Sequence, residues 1–179
     1  MNFLIISTCT EKLSEREFVS PIANIVSPDK CQILHYKQCN KDIISEFDKI
    51  LICGTSLQDN NYQKDLKMFR SFLLECEKPI LGICSGMQIT AMIFGDKITE
   101  NTEIGMVDVR TLEPNNLCAG EFQAYILHNY SVNNLESFNV LARSENSIQV
   151  FKHITKQIFG VSFHPEVRNH GIIENFLRI

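Results

Sequence analysis

Pro79-Ile80-Leu81-Gly82-Ile83-Cys84-Ser85-Gly86-Met87-Gln88 is a short apolar run that breaks at a cysteine and gives way at once to small, helix-compatible residues. An apolar tetrad this short, bounded by proline and followed directly by a helical pattern, is a buried strand running into a sharp turn. Gly82 and Gly86 stand two residues either side of the cysteine, where a side chain would clash as backbone segments crowd. A helix N-terminus beneath the sulfur favours the thiolate, the reactive form. Gln88, four residues on, shares a helix face with Cys84 and is in reach of a bound substrate. The same segment also admits a plainer reading, a buried thiol at a tight strand-to-helix turn.

On either side of this segment the pattern extends. The first half of the chain alternates apolar runs with helical patterns. Phe3–Ser7 reads as a strand, and Ser14-Glu-Arg-Glu17 has the form of a capping box opening a helix with Phe18, Ile22 and Ile25 on one face. Pro21 is expected to kink that helix, and Pro28 to lie just past its end. Residues 32–36 and 49–53 read as strands, and 42–47, 64–75 and 86–94 as helices. Such alternation predicts a parallel sheet covered on both faces. The second half differs. Residues 106–110, 122–127, 138–142, 148–151 and 158–163 are β-like runs joined by Asn- and Ser-rich turns, some extending the sheet and others forming a small antiparallel layer. An amphipathic helix over 172–177 closes the chain.

With 179 residues and no repeat or linker, residues 1–179 read as one domain. A net charge of −4 gives no basic excess for a nucleic-acid partner, and no apolar run approaches a membrane span. The run at Phe3–Ser7 is too short for a signal-peptide core and has no basic region before it. The seven cysteines (9, 31, 39, 53, 76, 84 and 118) are odd in number and never spaced C-x-x-C, as expected of reduced thiols in the cytoplasm. Their spacing offers no zinc site, so no metal is expected.

In a sheet of this kind ligands sit beyond the carboxyl ends of the strands. A second strand ends in Gly160-Val-Ser-Phe-His164-Pro-Glu166. A cysteine nucleophile needs a base that titrates near the working pH, and imidazole meets that need. A carboxylate two residues on, past a proline that turns the chain, can hold the imidazole tautomer. A third strand ends in Ile52-Cys-Gly54-Thr-Ser56.

Gly82-Ile-Cys84-Ser-Gly86-Met-Gln88 resembles the G-x-C-x-G-x-Q element of class I glutamine amidotransferases, and Gly160-Val-Ser-Phe-His164-Pro-Glu166 resembles their G-V-Q-F-H-P-E element. The stretch from Leu141-Ala-Arg-Ser144 into the His-Pro-Glu segment looks like the amidotransferase domain of GMP synthase. The resemblance implies a flavodoxin-like three-layer α/β fold with a mostly parallel sheet and a small antiparallel addition. It implies a Cys84–His164–Glu166 triad that hydrolyses L-glutamine to glutamate and ammonia through a γ-glutamyl thioester, with no metal or organic cofactor.

The family usually has Gly-Gly-Pro at the third strand end, where the second glycine offers its N–H to the oxyanion. Here Gly54 keeps the first glycine, Thr55 stands for the second and Ser56 for the proline. Thr55 and Ser85 are therefore the implied oxyanion donors, both through backbone N–H groups. A β-branched residue resists conformations that glycine adopts freely. The expectation is a Thr55 N–H turned away from the sulfur until a partner moves the turn. Gly54, Gln88, Asn129 and Tyr130 are the implied glutamine contacts, and Glu103 is a further candidate for the pocket. His128 is expected to be structural, and His35, His153 and His170 receive no role. No P-loop occurs, so the ammonia is expected to go to a separate ATP-dependent synthetase subunit, first of all the ATP-pyrophosphatase subunit of a GMP synthase. A γ-glutamyl hydrolase and a non-catalytic regulatory module on the same scaffold are the alternatives.

Overall fold

A computed structural model of the chain describes residues 1–27 and 30–179. Its strands are β1 (Phe3–Ser7), β2 (Cys31–His35), β3 (Lys49–Ile52), β4 (Ile80–Ile83), β5 (Lys97–Thr111), β6 (Glu121–Asn133), β7 (Phe138–Arg143), β8 (Ile148–His153) and β9 (Ile158–Val161). Its α-helices are α1 (Glu15–Phe18), α2 (Ser20–Val26), α3 (Lys41–Ser45), α4 (Leu66–Leu73), α5 (Ser85–Ile93) and α6 (His170–Arg178).

All nine strands belong to one sheet in the order β2-β1-β3-β4-β9-β8-β7-β5-β6. The first five run parallel, and β8, β7, β5 and β6 continue the sheet antiparallel. Strands β1, β3, β4 and β9 are buried along their whole length, which is why they read as unbroken apolar runs. Side chains alternate across the sheet. Phe3, Ile5, Leu51 and Leu81 pack with Phe18, Ile22 and Phe176 on one face. Leu4, Ile6, Ile50 and Ile80 pack with Phe69, Phe72 and Ile89 on the other. Three layers result, as the sequence predicts.

Two local expectations change. The antiparallel part holds the two longest strands, β5 with 15 residues and β6 with 13. The helix expected from Ser14 is divided. Lys12–Ser14 is a 3-10 turn that leaves Ser14 at φ −64°, ψ −21°, not the extended backbone an N-cap needs, and its side chain caps nothing. Pro21 lacks the N–H that would bond to Glu17, and the chain breaks at Val19 before resuming as α2 with the proline in its first turn. The expectation placed on Pro28 lies outside the described residues.

Candidate active site

Cys84 sits between β4 and α5 with φ +50° and ψ −107°, a conformation that non-glycine residues avoid. The surroundings enforce it. Its N–H donates to the Val161 carbonyl of β9 at 2.8 Å. The flanking glycines let backbone close in: a Cβ on Gly82 would lie 2.4 Å from the Gly86 carbonyl oxygen, and one on Gly86 would lie 2.2 Å from that of Ile52. The sulfhydryl lies 3.5 Å from the Leu127 carbonyl of β6.

His164 follows β9 and is held from β6, its N–H donating to the Tyr125 carbonyl at 2.9 Å. Its Nδ1 is 2.8 Å from Glu166 Oε1, and both side chains are 1% exposed. The other ring nitrogen is buried without a hydrogen-bond partner. Burial works against a charged imidazole, yet the charge of the nearby Cys84 sulfur and the hydrogen-bonded Glu166 carboxylate outweigh it and hold His164 well above its usual range. Gly54 closes the third side. A Cβ there would stand 2.8 Å from His164 Cε1 and 3.2 Å from Cys84 Cβ. The ends of β3, β4 and β9 thus meet at one point, and the arrangement can support a thiolate beside an imidazolium.

The turn after β3 adopts no glycine-only conformation. Among the described residues the only non-glycines with positive φ are Ser27, Cys84 and Asn134, so Thr55 has ordinary backbone. The Gly54 carbonyl faces the end of β1, 3.3 Å from Thr8 Oγ1 and 3.8 Å from Cys9 Sγ. In a trans peptide the following N–H points the opposite way.

The cleft beside Cys84 is lined by Thr55, Ser85, Gln88, Asn129 and Tyr130 together with Tyr62 and His128. Of the residues expected at the site, Thr55, Ser85, Gln88, Asn129 and Tyr130 line this cleft, and Gly54 packs against the triad. The Gln88 amide is already engaged, accepting from the Tyr62 hydroxyl and donating to the Tyr130 carbonyl at 2.8 Å. The Asn129 amide donates to the Leu57 carbonyl at 3.0 Å and accepts from Thr102 Oγ1 at 3.1 Å. These bonds tie Leu57 and Tyr62 across the cleft, whose cavity volume is about 20 Å³. That is room for about one water. Asn129 lies opposite a bulge between Glu100 and Glu103, the kind of irregularity that re-aims strands near sites.

Glu103 does not line the cleft. Its Oε2 lies 3.5 Å from His128 Nε2 and accepts from Ser147 Oγ at 2.6 Å, so it stands behind His128. Burial pushes His128 below its ordinary pKa, Glu103 opposing, which favours a neutral ring in keeping with a structural role. Of the remaining histidines, His35 caps a 3-10 turn, His153 accepts from backbone, and His170 Nε2 lies 3.0 Å from the Glu166 carbonyl. Sequence reasoning missed Tyr62 and Asp59. Both sit in the polar stretch 58–63, whose only signal was a turn-forming composition.

The model of the family Glutamine amidotransferase class-I matches residues 22–178. The chain belongs to that family. A glutamine-hydrolyzing GMP synthase subunit from Pyrococcus abyssi is 37% identical over 138 residues, 70% of this chain and 71% of the relative. Proteins of the same description from Methanosphaera stadtmanae and Thermoplasma volcanium are 37% and 31% identical over 122 and 149 residues. Those stretches are 62% and 77% of this chain, and 65% and 66% of the relatives' own length. A Thermoplasma acidophilum crystal structure, described as that of a candidate GMP synthase subunit, superposes with a TM-score of 0.86 at 23% identity over 99% of this chain and 93% of that one. A Thermotoga maritima glutamine amidotransferase gives 0.70 at 17% identity, covering 99% and 81%. The family's fold thus extends over the whole chain, including the long β5–β6 hairpin. No helix among the described residues is long and apolar enough to cross a membrane.

Proposed function

We propose that the chain hydrolyses L-glutamine to glutamate and ammonia, with Cys84 as nucleophile, His164 as acid and base, and Glu166 as the group that orients His164. The observation that carries this reading is the buried imidazole held by Glu166 on one nitrogen, beside the strained cysteine, with its second nitrogen unpartnered. In the reaction the Cys84 thiolate adds to the glutamine side-chain carbonyl carbon. The oxyanion is met by the N–H groups of Thr55 and Ser85. His164 gives its proton to the departing amine, and the C–N bond breaks as a γ-glutamyl thioester forms. A water, losing a proton to His164, then adds to the thioester, and the C–S bond breaks to return the thiolate and glutamate.

The ammonia passes to a separate ATP-dependent synthetase subunit of the GMP synthase kind. The similarity to proteins described as glutamine-hydrolyzing GMP synthase subunits supports that partner. Cys9, Cys39, Cys53, Cys76, Cys84 and Cys118 are free thiols, which suits a reducing cytoplasm. A cavity of about 20 Å³ is too small for glutamine, so the Tyr62 side chain moves aside for substrate, and the partner subunit favours that form. Glutamate release from glutamine by wild type and Cys84→Ala, with and without a GMP synthase ATP-pyrophosphatase subunit, tests the proposal. Turnover that needs Cys84 and rises with the partner supports it; release that survives Cys84→Ala overturns it.

A further inference from the structure

We propose that Asp59 is a positioning residue for the oxyanion turn, and that the Thr55 hydroxyl is the handle by which it holds that turn. The inference rests on the reading of the Thr55 N–H as an oxyanion donor, and it assigns a use to the side chain that replaces glycine. Asp59 Oδ2 accepts from Thr55 Oγ1 at 2.9 Å and from the Thr10 N–H at 2.6 Å. Its Oδ1 accepts from Thr10 Oγ1 at 2.7 Å and is 3.5 Å from the Asn61 N–H. Asn61 Nδ2 in turn donates to Thr10 Oγ1 at 3.0 Å, and the Asp59 N–H donates to the Ser56 carbonyl at 2.9 Å. One carboxylate therefore ties the turn after β3 to the segment after β1, through bonds that gain strength from its charge. Burial would raise the Asp59 pKa, but these donors outweigh it and lower the pKa, keeping the group ionised.

The geometry supplies the second half of the inference. The Gly54–Thr55 peptide is held at both ends, its carbonyl facing Thr8 and Cys9 and its Thr55 side chain bound by Asp59. A planar peptide fixed at both ends has one direction left for its N–H. Glycine at position 55 would leave the second end loose. A donor aimed before the reaction costs no reorganisation when charge develops, and that is the source of its catalytic value. Asp59 acts through Thr55 and need not touch the substrate.

The test is a double-mutant cycle on kcat and KM for glutamine, using wild type, Thr55→Val, Asp59→Ala and the double variant, with Thr55→Ser as the hydroxyl-retaining control. Thr55→Val is nearly isosteric, so it removes the hydroxyl with little change of packing. Each single variant is expected to lower kcat roughly tenfold or more, within the roughly 10²–10³ that an oxyanion donor is worth. The double variant should fall no further than the worse single, because both break one linkage. Thr55→Ser should recover most of what Thr55→Val loses. Alkylation of Cys84 by iodoacetamide, which needs no oxyanion donor, should keep its wild-type rate in Thr55→Val. A Thr55→Val enzyme with wild-type kcat, single losses that multiply, or alkylation falling in step with kcat would each overturn the inference. Should Asp59→Ala fail to fold, the contrast of Val and Ser at position 55 decides alone. A wild-type chain without turnover, or Cys84→Ala with turnover, sinks the underlying glutaminase reading instead and is told apart by that result.

Discussion

His164 Nδ1 and Glu166 Oε1 are 2.8 Å apart in a pair whose side chains are each 1% exposed, with a single proline between them in sequence. The proline turns the chain just after β9, so that two near neighbours in sequence face each other across a hydrogen bond. Glu166→Gln keeps the shape and loses the charge. It should lower kcat while leaving measurable turnover, since the carboxylate orients the base and moves no proton itself. A silent Glu166→Gln would remove Glu166 from the mechanism and leave Cys84 and His164 in place.

The same pair links stability to pH. The folded chain holds the His164 proton above the ordinary value of 6.5. A raised folded pKa contributes stability that is complete below the unfolded value and is lost as pH rises through the folded one. Glu166→Gln lowers that folded pKa. The urea midpoints of wild type and Glu166→Gln should therefore differ most on the acid side and converge as pH rises through the wild-type His164 pKa. A gap that widens with rising pH would contradict the sign.

Among the seven cysteines of the chain, Cys84 should be alkylated first by a glutamine-analogue electrophile. Burial pushes the Cys53 thiol well up, raises Cys9, and brings Cys39 to about 11, so these stay protonated and slow. Peptide mapping that finds the label on Cys9 or Cys53 would remove Cys84 as nucleophile.

Two glycines should fail in different ways. Gly86→Ala drives a Cβ to 2.2 Å from the Ile52 carbonyl oxygen, backbone against backbone, and should cost about 3 kcal/mol of stability in urea unfolding. Gly54→Ala meets side chains of the triad, at 2.8 Å from His164 Cε1 and 3.2 Å from Cys84 Cβ. It should lose most turnover for a smaller loss of stability. Equal stability losses in the two variants would show that position 54 is a packing site like the other.

Tyr62→Phe removes the hydroxyl that occupies Gln88 Oε1 and holds the Tyr62 side chain across the cleft. A bulky glutamine analogue should then label Cys84 faster than in wild type, with iodoacetamide labelling unchanged. Slower labelling by the analogue would place the Tyr62 hydroxyl in substrate binding rather than closure.

What the sequence disclosed follows from how local each feature is. The buried strands at Ile50 and Ile80 and the elbow at Cys84 have short-range signatures, apolar runs and glycines at fixed offsets, and they stand where expected. Strand β5 was legible only near residues 106–110. Its half before that, Thr99-Glu-Asn-Thr-Glu103, is polar on both faces because one looks to solvent and the other to the Glu103–His128–Ser147 group. The break at Val19 depended on whether proline wins over a capping pattern, and proline did. Asp59 was beyond reach for a different reason. Its partner Thr10 lies 49 residues away, and nothing in either neighbourhood encodes that contact. The closure by Tyr62 and Gln88, 26 residues apart, is of the same kind.

The whole mechanism stands on Cys84 carrying the γ-glutamyl group between the two halves of the reaction. Acid-quenching the chain during turnover of L-glutamine in the presence of a GMP synthase ATP-pyrophosphatase subunit, followed by peptide mass mapping, reads that intermediate. The expected result is a γ-glutamyl adduct on the peptide containing Cys84, absent without glutamine and absent in Cys84→Ala, whose glutamate release is abolished. Steady turnover with an unmodified Cys84, or with the adduct on another residue, would contradict the mechanism.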